Sequence, residues 1–254
     1  MSELERIVAS TRAEVERRRG PISLPPAVAS ATRPFAEALA RPGLSLIAEH
    51  KRRSPSAGVI RADLSLEDVV GAYERGGAAA VSVLTEAPNF GGSLDDLRRA
   101  REITDLPILR KDFVVDPFQV DESIAIGADA ILLIVAALED DELHDLYARA
   151  SERGLSALVE VHDRRELERA LECGASIIGV NNRDLRTLEV DTERTSQLAP
   201  EIPEGVITVA ESGFKVPEQL VALRDAGVDA VLVGEALMRA TDIEFATRAV
   251  LSGL

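Results

Sequence analysis

Short, almost wholly apolar runs recur along the chain, and four share a signature. Each has a glycine, one small or apolar residue, then a β-like stretch. They are "GGAAAVSVLTE" from Gly76, "IGADAILLIVA" from Ile126, "CGASIIGVNNR" from Cys173 and "AGVDAVLVGEA" from Ala226. The shared glycines, Gly77, Gly127, Gly174 and Gly227, lie 50, 47 and 53 residues apart. Glycine in such a place closes a helix before the next strand. Four more apolar runs sit between them: "LSLIAEHK", "LPILRKDF", "LSALVEVH" and "GVITVAES". A segment with apolar residues at helical spacing follows each of the eight, from "LSLEDVVGAYERG" to "IEFATRAVLSG".

Strands that are apolar throughout and alternate with helices predict a parallel sheet buried on both faces. Eight such units in about 210 residues predict an α/β protein of the (β/α)8 TIM-barrel class. A doubly wound sheet is the alternative. It usually needs fewer strands, and its dinucleotide-binding form carries a glycine-rich fingerprint that is absent here. Residues 1–44 stand outside the repeat and form an N-terminal helical extension: one helix, a Pro-rich turn ("GPISLPP") and a second short helix near "PFAEALARPG". Residues 45–254 then form the catalytic barrel.

Composition narrows the function. At 254 residues and 46% hydrophobic the chain can bury a substantial core. It has no apolar run of about 18 residues, so no membrane partner is expected. Its N-terminus lacks the apolar core of a signal peptide. One cysteine, Cys173, rules out an internal disulfide framework, and a cytoplasmic monomer is the expectation. With 29 basic against 44 acidic residues, net −15, the chain lacks a broad basic face and no nucleic-acid partner is expected. Lysine is rare: Lys51, Lys111 and Lys215 are the only three. Lysine titrates when buried and arginine does not, so each is a candidate for chemistry.

In such a barrel the active site forms where the strands end. Strand 1 ends Glu49-His50-Lys51, and the two-residue period puts Glu49 and Lys51 on one side. Strand 3 ends at Lys111, strand 5 at Glu160-Val161-His162, strand 6 at Asn181-Asn182-Arg183 and strand 7 at Glu211-Ser212-Gly213. Any one of these reads equally as a solvated loop start. The set does not, because two of the three lysines end barrel strands. Two ammonium groups among Glu49, Glu160 and Glu211 separate pKa values and supply acid and base together. The loops "ESGF" and "VGEA" place Ser212, Gly213 and Gly234 where a backbone can approach a phosphate at a helix N-terminus. Phe90 and Phe113 fall just past strands 2 and 3, and suggest a flat apolar substrate portion or simply a capped core. His50, His144, His162 and Cys173 have no ligand spacing, so no metal is expected.

The stretches "AEHKRRSPSAG", "VLTEAPNFGGS", "LRKDFVVDPFQ", "LVEVH", "GVNNRDLRTLEVD", "VAESG" and "LVGEALMR" resemble, in order, the motifs of indole-3-glycerol phosphate synthases, from about residue 35 to 241. His50 departs from the pattern, where an apolar residue is expected. The resemblance implies ring closure, decarboxylation and dehydration of 1-(2-carboxyphenylamino)-1-deoxyribulose 5-phosphate, a small sugar phosphate, without a cofactor. By the same resemblance Lys111 is the general acid, Lys51 pairs with the substrate carboxylate or also transfers a proton, and Glu160 is the acid or base of the dehydration. Glu49, Asn181, Arg183, Glu211 and Ser212 orient the substrate. Gly213, Gly234 and Glu235, with Ser54 nearby, hold the phosphate. Pro55, Phe90, Phe113, Leu132 and Leu232 form the apolar clamp, and the extension lies over the barrel mouth.

Three rivals remain. A Schiff-base aldolase on the same fold would use Lys51 or Lys111 as nucleophile. A phosphoribosylanthranilate isomerase suits a Cys/Asp pair at strand ends, but Cys173 falls before strand 6. A non-catalytic sugar-phosphate binder would keep the phosphate loops without needing Lys111 and Glu160 together.

Overall fold

The computed structural model describes residues 2–19, 32–185, 187–214 and 217–252. The Pro-rich turn and Lys215 lie outside the described residues. The glycine signature closes helices as expected. Helix α3 (Leu66–Arg75) ends with Gly77 at φ +93, its N–H donating to Glu74 and that of Ala78 to Tyr73, which is the paired return bond of a glycine-closed helix. The same pair of bonds follows α5 (Pro117–Ala125), α7 (Arg164–Glu172) and α9 (Pro217–Asp225). A fifth, at Gly154, ends α6 (Asp140–Glu152), where the sequence lacked the full signature.

Each closure delivers the chain into a strand. The strands are β1 (Ser45–His50), β2 (Ala80–Leu84), β3 (Ile108–Lys111), β4 (Ala130–Ile134), β5 (Ser156–Val161), β6 (Ile177–Asn181), β7 (Ile207–Glu211) and β8 (Ala230–Val233). All pair in parallel, and β8 pairs back onto β1, Ser45 with Ala230 through Ala48 with Val233, so the barrel closes. The remaining helices of the ring are α4 (Leu94–Ile103), α8 (Glu193–Leu198), α10 (Glu235–Arg239) and α11 (Ile243–Ser252). Period two divides the strands' side chains. Ile47, Leu109, Leu132, Leu158, Ile177, Val209 and Leu232 fill the barrel interior. Leu46, Ala48, Val81, Val83, Ile131 and Leu133 face the helices. His50 belongs to that outer face, where burial and the neighbouring Arg52 push its imidazole down to about 4. Arg110 also points outward; it is fully buried, and binds Asp112 and Glu122, each at 2.9 Å, and Ser123.

The extension divides between the two ends of the barrel. Helix α1 (Glu3–Arg18) starts from a reciprocal cap, Ser2 with Glu5, and packs Leu4 and Ile7 near Phe113, Leu132 and Ile134 at the mouth. Helix α2 (Phe35–Leu39) lies at the opposite end. Ser45, the first residue of β1, donates to the Ala38 carbonyl, and the Arg33 N–H donates to Asp129 just before β4. Phe35 and Leu39 are fully buried among the interior side chains. Helix α1 therefore lies at the mouth and α2 at the floor of the barrel.

Candidate active site

A cavity of about 950 Å3 opens at the carboxyl ends of the strands. The residues to which the sequence gave catalytic, substrate or phosphate roles line it. Strand β1 and the residue after it supply Glu49 and Lys51. A two-stranded hairpin, Arg53–Ser54 with Gly58–Val59, brings Ser54 and Pro55. Phe90, Lys111, Phe113, Leu132 and Glu160 come from β2 to β5 and the loops beyond. Asn181, Arg183, Glu211, Ser212, Gly213, Leu232, Gly234 and Glu235 come from β6 to β8 and their loops.

The ionic groups interlock. Lys111 Nζ lies 3.1 Å from Glu160 Oε2 and 3.0 Å from Glu211 Oε2. Lys51 Nζ lies 2.5 Å from Glu49 Oε1. All three carboxylates are buried. Burial alone would lower Lys111, but the charges of Glu160, Glu211 and Glu49 outweigh it and hold the ammonium well above its ordinary range. Burial would likewise raise Glu49 and Glu160. Lys51 and Lys111 for the first, and Lys111 and His162 for the second, pull them below the usual range. Burial wins only at Glu211, which is pushed up to about 7, with Lys111 opposing and Glu160 assisting. Three carboxylates face two ammoniums, and the carboxyl that most readily takes the odd proton is Glu211.

Two glycines make room for this arrangement. A Cβ on Gly179, within β6, would stand 2.3 Å from Glu211 Oε1. One on Gly234 would stand 2.4 Å from Glu49 Oε1. The sequence assigned Gly234 to close backbone approach by a phosphate; its nearest constraint is Glu49. Helix α10, which follows Gly234, is a single turn, and the Glu235 carboxylate turns to Arg239 at 2.9 Å. Ser212 adopts φ +67, a left-handed conformation that costs a non-glycine residue energy and clusters at functional sites. Its carbonyl accepts from Asn182 Nδ2. Asn182 lies beneath the site and ties β6 to Thr195.

Phe90 and Phe113 stand with ring centroids 6.4 Å apart, tilted by 40°. Glu86, which sequence reasoning passed over, orders the Phe90 loop: its buried carboxylate accepts the backbone N–H groups of Asn89 at 2.7 Å and Phe90 at 3.0 Å. The signal for it was a carboxylate four residues before a mouth aromatic. Arg239, also passed over, lines the cavity beside Glu235 and lay within a quoted motif. Leu188 and Val190 line the cavity from the loop after β6, and no periodic signal marks them.

A closed parallel barrel whose strand ends converge on paired lysines and carboxylates has the architecture of a (β/α)8 enzyme. Known proteins narrow this. The family model described as indole-3-glycerol phosphate synthase matches residues 4–250. A synthase of that name from Mycolicibacterium gilvum is 48% identical over 244 residues, 94% of this chain and 90% of the relative. Another, from Parafrankia sp., is 53% identical over 204 residues, 80% and 76%. The chain belongs to the indole-3-glycerol phosphate synthase family, and its activity is that synthase's step in tryptophan biosynthesis. Among solved structures it is similar in fold to 3-hexulose-6-phosphate synthase (TM-score 0.66, 13% identity, 83% of this chain and 100% of that one). It is similar also to thiamine phosphate pyrophosphorylase from Pyrococcus furiosus (TM-score 0.62, 21% identity, 83% and 95%).

Proposed function

We propose that Lys111 is the general acid of ring closure in this cavity. The observation that carries this reading is the Lys111 ammonium seated between Glu160 and Glu211 among the strand ends. When the aromatic carbon attacks the ribulose carbonyl, charge grows on the carbonyl oxygen, and an acid fixed beside it lowers the barrier. Lys51, backed by Glu49, receives the substrate carboxylate until it leaves as carbon dioxide. Phe90, Phe113, Pro55, Leu132 and Leu232 clamp the ring against the carbonyl, which turns a slow encounter into a positioned one. Glu160 protonates the departing hydroxyl in the dehydration. Asn181, Arg183, Glu211 and Ser212 orient the sugar hydroxyls. Ser54, Gly213 and the backbone N–H groups around Gly234 and Glu235 hold the phosphate, with Arg239 supplying a nearby cation. The enzyme works as a monomer in the cytoplasm, the compartment that one unpaired cysteine suits. Among the described residues no helix is long and apolar enough to cross a membrane.

A Schiff-base aldolase needs a neutral amine. The carboxylates around Lys111 keep that amine protonated, so acid catalysis is favoured over amine attack. Lys111→Ala, assayed by indole fluorescence on the carboxyphenylamino sugar phosphate, is the test. The expected loss in kcat is on the order of 10²–10⁴-fold with the barrel still folded. Near wild-type turnover by the purified variant removes Lys111 from the acid's role.

A further inference from the structure

Beside the main cavity lies a smaller one of about 260 Å3. Its polar walls are His162, Asp163, Glu166, Asp184 and Arg194. Glu160 lines only the larger cavity and His162 only the smaller, and the two side chains meet between them. Glu166 sits in the first turn of α7, its N–H donating to Asp163. Its Oε2 accepts the backbone N–H of His162 at 2.8 Å and lies 3.0 Å from His162 Nδ1. A carboxylate only accepts, so Nδ1 carries a hydrogen. The other ring nitrogen, Nε2, then faces Glu160 Oε1 at 3.4 Å. Both of these atoms are buried, and neither has a hydrogen-bond partner among the described residues. The contact is satisfied when one proton lies between them, either on an imidazolium or on Glu160.

The reaction needs such a proton. Ring closure protonates the carbonyl oxygen, and dehydration protonates the departing hydroxyl. Only one proton returns, from the methylene carbon that becomes part of the indole ring. The substrate's carboxylate charge has by then left as neutral carbon dioxide, so each turnover consumes one proton from solvent. The site must be loaded with that proton before the substrate fills the mouth. We infer that His162 is a positioning residue that holds this reserve proton behind Glu160. In the dehydration the Nε2–H bond breaks as a Glu160 O–H bond forms, and Glu160 passes that proton to the hydroxyl as the C–O bond breaks and water leaves. The proton lost from the methylene carbon returns to the Lys111 amine that ring closure left neutral, and the site is left with a Glu160 carboxylate and a neutral imidazole whose Nδ1–H still rests on Glu166. After product departs, the Glu160 carboxylate takes one proton from solvent and passes it to Nε2, which restores the reserve. The inference rests on the reading of Glu160 as the dehydration acid.

His162→Gln tests it in the full-length enzyme, because glutamine can bond to both carboxylates but cannot carry the proton. Single-turnover formation of indole fluorescence should slow by about 10²-fold while KM changes little, the low end for a lost proton donor. The wild-type rate should fall with rising pH as the reserve empties, and the variant should lose that limb. The charges that set the limb are Lys111, Glu160 and Glu211 on the strands, Asp163 and Glu166 at the start of α7, and Asp184 and Arg194 beyond β6. In His162→Ala, which opens the small cavity, added imidazole should restore the rate in proportion to its cationic form. A His162→Gln enzyme with the wild-type rate and pH profile overturns the inference. So does a slow His162→Ala enzyme that imidazole leaves slow. Glu160→Gln separates the two readings: full activity there overturns the role of Glu160 itself, whereas an inactive Glu160→Gln beside an unaffected His162→Gln overturns only the reserve.

Discussion

At the scale of single residues, the mouth is governed by where burial outweighs charge. Glu49 and Glu160 are held ionised by the lysines, whereas Glu211 is pushed up to about 7 from an ordinary 4.5, chiefly by burial. A folded-state pKa above the unfolded one means that the native state binds the proton more tightly. The stabilisation from Glu211 is therefore complete below its unfolded value, about 4.5, and disappears as pH climbs through about 7. Glu211→Gln has no proton to lose. Urea unfolding of both proteins at pH 5 and pH 8 should show wild type weakening relative to the variant across that interval. A constant difference between them would mean that Glu211 titrates normally. Lys51 makes a second residue-scale case. Its Nζ is partnered by Glu49 alone among the described ion pairs, which leaves donors free for a substrate carboxylate. Arginine keeps the charge, but its planar fork is larger and bonds differently. Lys51→Arg should lower kcat/KM by about tenfold or more, the scale of a misplaced positioning group. An unchanged kcat/KM would reduce Lys51 to a diffuse positive charge.

At the scale of elements, the strand ends act through the small residues beside them. Gly234 stands against Glu49, and Gly179 against Glu211. Gly234→Ala should therefore swing the Glu49 carboxylate away from Lys51 and depress kcat more than KM. A displacement of about 1 Å at a reacting group costs on the order of 10²-fold in rate. If KM rises and kcat holds, the phosphate loop rather than Glu49 is what Gly234 protects. The eight strands were legible because strands buried on both faces must be apolar throughout, and because a glycine-closed helix leaves its mark three residues on. The polar strand ends were legible because period two fixes which side chains turn inward, so Glu49 and Lys51 were assigned to one side without coordinates. The contact of Gly179 with Glu211 was not legible. It joins residues of the neighbouring strands β6 and β7 two positions off the paired register, and a sequence does not give that register. The roles of Glu86 and Arg239 escaped for a similar reason: each acts by turning a loop or a one-turn helix, and neither has a period.

At the scale of the whole molecule, the N-terminal extension serves two ends of the barrel with two helices, and their losses should differ in kind. Phe35 and Leu39 of α2 are fully buried against the interior layer at the barrel floor, far along the strands from the lysines. Truncating Phe35 to alanine leaves a cavity beneath the barrel and should cost about 3–5 kcal/mol of stability. The strand ends are not touched, so KM and kcat should hold at temperatures where the variant remains folded. Leu4 of α1 is buried at the mouth and lines the cavity itself. The amphipathic α1 is held there by Leu4 and Ile7, and farther along by the ion pairs Arg12–Glu142 and Arg18–Glu122. Those pairs remain in Leu4→Ala, so α1 should stay docked while its mouth end loosens. Leu4→Ala should therefore cost about 2 kcal/mol, at the low end for leucine truncation because the site borders an open cavity into which neighbours can relax, and its larger effect should be on KM. Thermal unfolding and steady-state kinetics on the two variants check the division. If Phe35→Ala impairs catalysis as much as Leu4→Ala, the floor and the mouth are one cooperative unit, and the extension cannot be divided into a plug and a cover.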